Sequence, residues 1–304
     1  MVEAIANSME DKLIDSLQFK LKEGASYITD RRSVTFYPQG SNIYKPKSGT
    51  KVIKIMLNGN NWLDPSTFRV MFDLRNNDGE VLHELRPIGS PWAFFRRARL
   101  ICGGQTVEDI DFYNRTHEMM HTLTSTASRQ NDFCEAFGNE LTILEDYTTS
   151  PNLNTADLFH GIPGTQSITV LFKPILGLLN QNKFLPLSKM GSMTLELELV
   201  DDVNEPIIMP DKTVSTDAAI ALTRFSIANT SNDWQIENVQ IKVDLITLDN
   251  GLQNTYDTHL LNGNAYPINY NTFITQSQNV IGGSIVVGTG IDAKTVPVGQ
   301  QKIS

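Results

Sequence analysis

Cysteine is nearly absent: Cys102 and Cys134 are the only two in 304 residues. That excludes a disulfide framework and fits a reducing compartment. Long apolar runs are missing too, the longest being a few residues against the roughly 20 that span a bilayer. There is no basic excess. Lys and Arg number 25 against 34 Asp and Glu, the formal net charge is −9 and the pI is about 5.1. A chain built to grip a phosphate backbone would be basic, so direct nucleic-acid binding is not expected. The first residues, MVEAIANSMEDK, carry acids where a secretory signal would carry bases, and no apolar core follows. The expectation is synthesis in the cytosol, which makes the sequons at Asn114 and Asn229 chance matches. No Gly-rich phosphate loop, G-x-S-x-G elbow or C-x-x-C pair occurs.

What is present is a globular composition, 40% hydrophobic and 19% charged, long enough for one large domain or two smaller ones. Met9, Leu13, Ile14, Leu17 and Leu21 recur at helical spacing, with Ser8 placed to cap and Gly24 to stop. This helix either packs under the domain or forms an arm that docks on a neighbour or a membrane; the residues leave both open.

From Ser33 the period becomes two. Val34 and Phe36, then Ile53, Ile55 and Leu57, then Phe68, Val70, Phe72 and Leu74 alternate with polar neighbours. Turn residues such as Pro38-Gln39-Gly40 and Asn76-Asn77-Asp78-Gly79 separate the runs. Strands are also expected at Phe95–Cys102, Ile168–Phe172, Met193–Val200 and Val239–Leu245. Closely spaced strands without intervening helices indicate antiparallel sheets. Arg96, Arg97 and Arg99 read as a solvated cationic face or as a contact for an acidic neighbour. Helices are expected at Asn114–Leu123 and Gln253–Leu261, a loop over Asn131–Asn154, and a further strand at Asn269–Gln278. Gly282, Gly283, Gly288 and Gly290 mark loose turns.

One motif carries chemistry. His117-Glu118-Met119-Met120-His121 is a literal H-E-x-x-H, which on a helix places two imidazoles on one face with a glutamate beside them for a metal-bound water. A third ligand is needed, and Glu140 stands at a plausible distance along the chain. Arg115 just before the motif, and the flanking strands, argue against a zinc peptidase. The preferred reading makes His117 and His121 polar residues of a surface or interface helix, with no catalytic residue, metal or cofactor. Asp201, Asp202 and Glu205 could attract a cation but read as solvated acids. A carbohydrate-binding sandwich would need exposed aromatics, and only three tryptophans exist, Trp62, Trp92 and Trp234.

Ile88-Gly89, a strand ending in Gly103-Gly104-Gln105, then an acidic turn with Asp109 or Asp111 and a helix resemble the first barrel of the double jelly-roll major capsid proteins. These are found in nucleocytoplasmic large DNA viruses, virophages, adintoviruses and Polinton (Maverick) elements. Pro174 and Pro186 ahead of the Leu195-Glu196-Leu197-Glu198-Leu199 strand, and Val239 to Asp249, fit the same pattern. Trp62-Leu63-Asp64-Pro65 and Val107-Glu108-Asp109-Ile110 lean toward the Polinton and adintovirus branch. The resemblance implies an all-β jelly-roll sandwich with short helices in its loops and an N-terminal helix. The implied domains are an arm at 1–23, a first barrel at 24–250, and a linker with the start of an incomplete second barrel at 251–304. It further implies homotrimeric, pseudo-hexameric capsomers tiling an icosahedral shell in the virion. Expected partners are neighbouring capsomers, minor capsid or penton proteins, and a membrane under the arm.

Overall fold

The computed structural model describes residues 28–46, 49–123, 161–208 and 230–275. The expected helix at Met9–Leu21, the whole Asn131–Asn154 loop with Cys134 and Glu140, Asn229, and the glycines at 282, 283, 288 and 290 lie outside them.

Alternation of side chains across a strand decides which face is buried. In β3 (Val52–Leu57), Ile53, Ile55 and Leu57 are fully buried; in β5 (Arg69–Asn76), Val70, Phe72 and Leu74 are. In β10 (Met193–Leu199) the leucines 195, 197 and 199 face in, and in the long β11 (Trp234–Leu248) Ile236, Ile241 and Val243 do so. The remaining strands are β1 (Ile28–Phe36), β6 (Phe95–Cys102), β7 (Gln105–Asp111) and β8 (Ser167–Phe172), with two-residue β2 (Ile43–Tyr44), β4 (Trp62–Leu63) and β9 (Leu185–Pro186).

Every strand pair is antiparallel. One sheet runs β1-β11-β5-β8, with the short β2 and β4 added along β11 and β9 paired to β4; the other runs β3-β10-β6-β7. Counting only the longer strands in chain order, these are first-eighth-third-sixth and second-seventh-fourth-fifth. Two Greek keys interleaved in this way form a jelly roll. Between the sheets lies one core, in which Phe95 stacks on Phe172 at 5.8 Å and meets Phe72 edge-on at 5.6 Å.

β1 starts earlier than its alternation suggests. Its first six residues are exposed, so no burial pattern marks them. Pairing holds them instead, from Ile28 opposite Leu248 to Phe36 opposite Ile241, together with Arg31, which reaches Asp64 at 2.7 Å and Asp244 at 2.9 Å. In β11 the pairing with β5 slips between Glu237 and Gln240. Asn238 takes this bulge with φ 52° and donates to Asp73 at 2.7 Å.

Two helices flank the sandwich among the described residues. One spans Tyr113–Thr122 and follows Phe112, whose φ of 49° turns the chain out of β7. The other spans Asn250–Leu261, earlier at its start than expected because Asp249 caps it by accepting the Gly251 N–H at 2.9 Å.

The expected strand at Asn269–Gln278 is a correction: through Thr275 no ladder forms. Ile268, Tyr270 and Phe273 do face the core. However, Tyr270 and Thr275 bond the carbonyls of Val107 and Asp111 with their hydroxyls, so side chains take the place of a backbone ladder.

Candidate functional site

The H-E-x-x-H segment lies on the Tyr113–Thr122 helix, where positions three and four apart share a face. Tyr113, Thr116 and His117 turn inward; Glu118 and Met119 turn out. The helix packs on the Pro91–Phe94 turn. Its central contact is Trp92, stacked on His117 at 4.0 Å between ring centroids and 12° between planes. His117 Nδ1 also lies 3.0 Å from the Tyr113 hydroxyl.

His117 is therefore not a surface residue: it is 6% exposed. Burial, and secondarily His121, push its pKa down to about 3. Burial raises that of Tyr113. Glu118 accepts the Trp92 indole N–H at 2.8 Å and backs onto Gly89, where a Cβ would come within 3.2 Å of its carboxylate. Both the first histidine and the glutamate thus hold the Trp92 turn. His121 sits 4.9 Å from Trp92. Among the described residues no three His, Cys, Asp or Glu side chains gather as a metal site would require.

Beside this helix lies an open groove of about 660 Å³ with Ile88, Ala93, Met119 and Leu123 as its apolar lining and Arg115 and Glu205 among its polar residues. Ile88, Met119 and Leu123 are all exposed. The acids once considered for a cation are engaged elsewhere. Asp201 pairs with Lys51 and Arg96, which hold its pKa below the usual carboxylate range, Lys51 foremost. Asp202 accepts the Asn204 N–H at 3.0 Å, and Glu205 accepts from Asn114 at 3.0 Å. The expectation of simple solvation for Asp201 and Glu205 is corrected accordingly. Asn114 is itself buried, so its sequon presents no accessible amide.

The three arginines of β6 are likewise not a free cationic face. The register of the four-stranded sheet sets Lys54, Glu196, Arg99 and Asp109 side by side on β3, β10, β6 and β7. Glu196 bridges Lys54 at 2.8 Å and Arg99 at 2.5 Å. One row along, Glu198, Arg97 and Asp111 are neighbours, and Arg97 grips Asp109 through two bonds of 2.7 and 2.6 Å. Arg96 lies 3.7 Å from Asp111. Charge alternates from strand to strand and cancels within the face.

The resemblance residues fall at separate turns, ties and caps rather than in one cluster. Ile88 donates its N–H to Pro206, and Gly89 has φ 72°. Gly103 and Gly104, with φ 56° and 80°, make the two-residue turn from β6 into β7, where Gln105 faces Cys102. Both positions require the left-handed region, which glycine enters freely. Pro174 accepts from Asn180 at 2.8 Å, Pro186 pairs with Trp62 in β9, and Asp249 is the helix cap. The tryptophans are spent inside: Trp92 and Trp234 are buried, and half-buried Trp62 donates to Gln253 at 2.8 Å. No exposed tryptophan is left for a glycan platform. Two ties escaped the sequence reading, buried Asn76 and buried Glu108.

The chain is similar to viral capsid structures. The VP54 protein of PBCV-1, fitted into a reconstruction of the virophage Sputnik, matches 78% of this chain and 47% of its own at 15% identity and a TM-score of 0.45. The Sputnik virophage structure matches 77% and 52% at 10% identity and a TM-score of 0.46. The Faustovirus major capsid protein matches 82% and 60% at 9% identity and a TM-score of 0.41. The chain thus spans roughly half to three-fifths of the length of the chains it matches. No family model and no curated protein matches. The fold assignment stands on the strand order of the chain itself.

Proposed function

We propose that this chain is a shell-building protein, the first barrel of a double jelly-roll major capsid protein, acting in the virion by association and without turnover. The observation that carries the reading is the strand order β1-β11-β5-β8 over β3-β10-β6-β7. Jelly rolls also serve as lectins and cupins, so the inside of the fold matters as well. The tryptophans pack inward, the H-E-x-x-H glutamate and first histidine hold a turn, and the charged sheet face cancels itself. These features suit a rigid brick better than a substrate site.

On this reading the unit is a homotrimer that meets neighbouring capsomers, minor capsid or penton proteins and, through residues 1–23, a membrane; the barrel is the 24–250 domain. Synthesis is in the host cytoplasm, and the lineage is that of Polinton elements and adintoviruses. The test is the solution mass by light scattering on a size column, with zinc measured on the same peak. A metal-free trimer is expected. A monomer carrying one tightly bound zinc would overturn the reading in favour of a metallopeptidase using His117, Glu118, His121 and Glu140.

A further inference from the structure

Among the described residues, β7 is the outer strand of its sheet and pairs only with β6. A bare edge strand presents unpaired backbone groups to any passing strand. Here the edge is covered from within the chain. After the Asn250–Leu261 helix, which buries none of its residues, the chain turns at Gly263 (φ 79°) and runs back along the barrel. Ile268, Tyr270 and Phe273 pack against the core. The Tyr270 hydroxyl donates to the Val107 carbonyl at 3.3 Å, and the Thr275 hydroxyl donates to the carbonyl of Asp111. Both acceptors belong to β7.

A second set of contacts closes the circuit. Glu108, also on β7 and 2% exposed, accepts the N–H groups of Gly177 at 2.8 Å and Leu178 at 2.6 Å. The returning segment presses on that same turn: a Cβ on Gly177 would collide with the carbonyl of Asn271. Lys183, a little further along, donates to the Pro267 carbonyl at 3.2 Å. Edge strand, turn and returning segment therefore hold one another.

We propose that residues 267–275 are a strap docked in a peptide groove formed by β7 and the Gly177–Asn180 turn, sealing that edge against strand addition by a second copy. The barrel's cooperative unit then runs through Thr275, past the last strand of the sheets. This does not depend on the capsid reading, because it concerns the closure of one chain.

The test is amide hydrogen exchange, read by mass spectrometry on the full chain. Gly177→Ala crowds the strap at the Asn271 carbonyl while keeping the amide that Glu108 of β7 accepts. The double variant Tyr270→Phe, Thr275→Val removes only the two hydroxyls. In both, exchange across β7 and residues 176–180 is expected to speed up about tenfold, the scale of losing one or two modest hydrogen bonds, while β5 stays protected. If Gly177→Ala does not fold, the double variant decides alone. Wild-type protection of β7 in the double variant would overturn the proposal, and so would an equal loss across β5 and β7.

Discussion

Trp92 lies flat on His117, ring over ring at 4.0 Å, and donates its indole N–H to the neighbouring Glu118 at 2.8 Å. The stack turns the most enzyme-like segment of the sequence into a packing device. It also makes the fold sensitive to acid. The groups facing the imidazole are the Tyr113 hydroxyl, His121 and the Trp92 ring.

The folded pKa of His117 is depressed to about 3, whereas in the unfolded chain it sits at about 6.5. The unfolded state therefore takes up a proton that the native state refuses. Stability is lost progressively as pH falls from about 6.5 toward 3, by roughly 2 kcal/mol at pH 5. Urea midpoints at pH 7.5 and pH 5 should separate accordingly, and His117→Gln should narrow the gap while lowering stability at both. An equal pH response in the variant would mean that other groups carry the acid sensitivity.

The alternating charges of the four-stranded sheet give a second expectation. Glu196 sits between Lys54 and Arg99 with its side chain 7% exposed, so Glu196→Gln should cost about 1 kcal/mol, near the upper end for partly exposed pairs. Asp109→Asn, at a side chain 35% exposed, should cost less. Because the β6 arginines are paired, the protein should show no salt-sensitive binding to duplex DNA in anisotropy titrations at low ionic strength. Tight binding that collapses with added salt would refute this.

The sheets could be read from the sequence wherever one face is buried and the other wet, as in β3, β5 and β10, because burial then writes itself as alternation. It fails for the first half of β1, which is exposed on both faces and held by its partner. Gly103-Gly104-Gln105 reads in the sequence as the end of a strand before an acidic turn, whereas the two glycines make a hairpin turn and the acids that follow lie in strand β7. The charge rows were present as Arg97 and Arg99, Glu196 and Glu198, Asp109 and Asp111, but which strand neighbours which is long-range information. The spacing His117 and His121 shares with metal-ligand pairs likewise says nothing of Trp92, which arrives from another element and claims the ring.

Asn76 shows how far one buried amide can reach. It is fully buried at the end of β5, donates to the carbonyls of His83 at 2.8 Å and Ile162 at 2.9 Å, and accepts from Asp78 at 3.1 Å and Ser231 at 2.7 Å. Three loops converge on it. Asn76→Ala should cost about 3 kcal/mol, since it strands several buried polar groups at once. Limited proteolysis should then cut first near residues 77–85 or 230–233. An unchanged urea midpoint would show that water replaces the amide without penalty.

Glu108 poses the same question with a carboxylate. It is 2% exposed, and its two oxygens accept from the consecutive amides of Gly177 and Leu178. These are the leading amides of a single 3-10 turn, which has no side-chain cap of its own, so β7 supplies the acceptor from across the barrel. Glu108→Gln keeps the shape but turns an NH₂ group toward one of the two donors, leaving that amide unsatisfied. The expected loss is about 2 kcal/mol, and about 3 kcal/mol for Glu108→Ala, which strands both donors and opens a cavity. The ordering is the decisive readout in urea melts. If Gln were as damaging as Ala, the negative charge rather than acceptor geometry would hold the turn. If neither variant shifted the midpoint, the turn would be held by its apolar contacts at Leu178 and Leu179 alone.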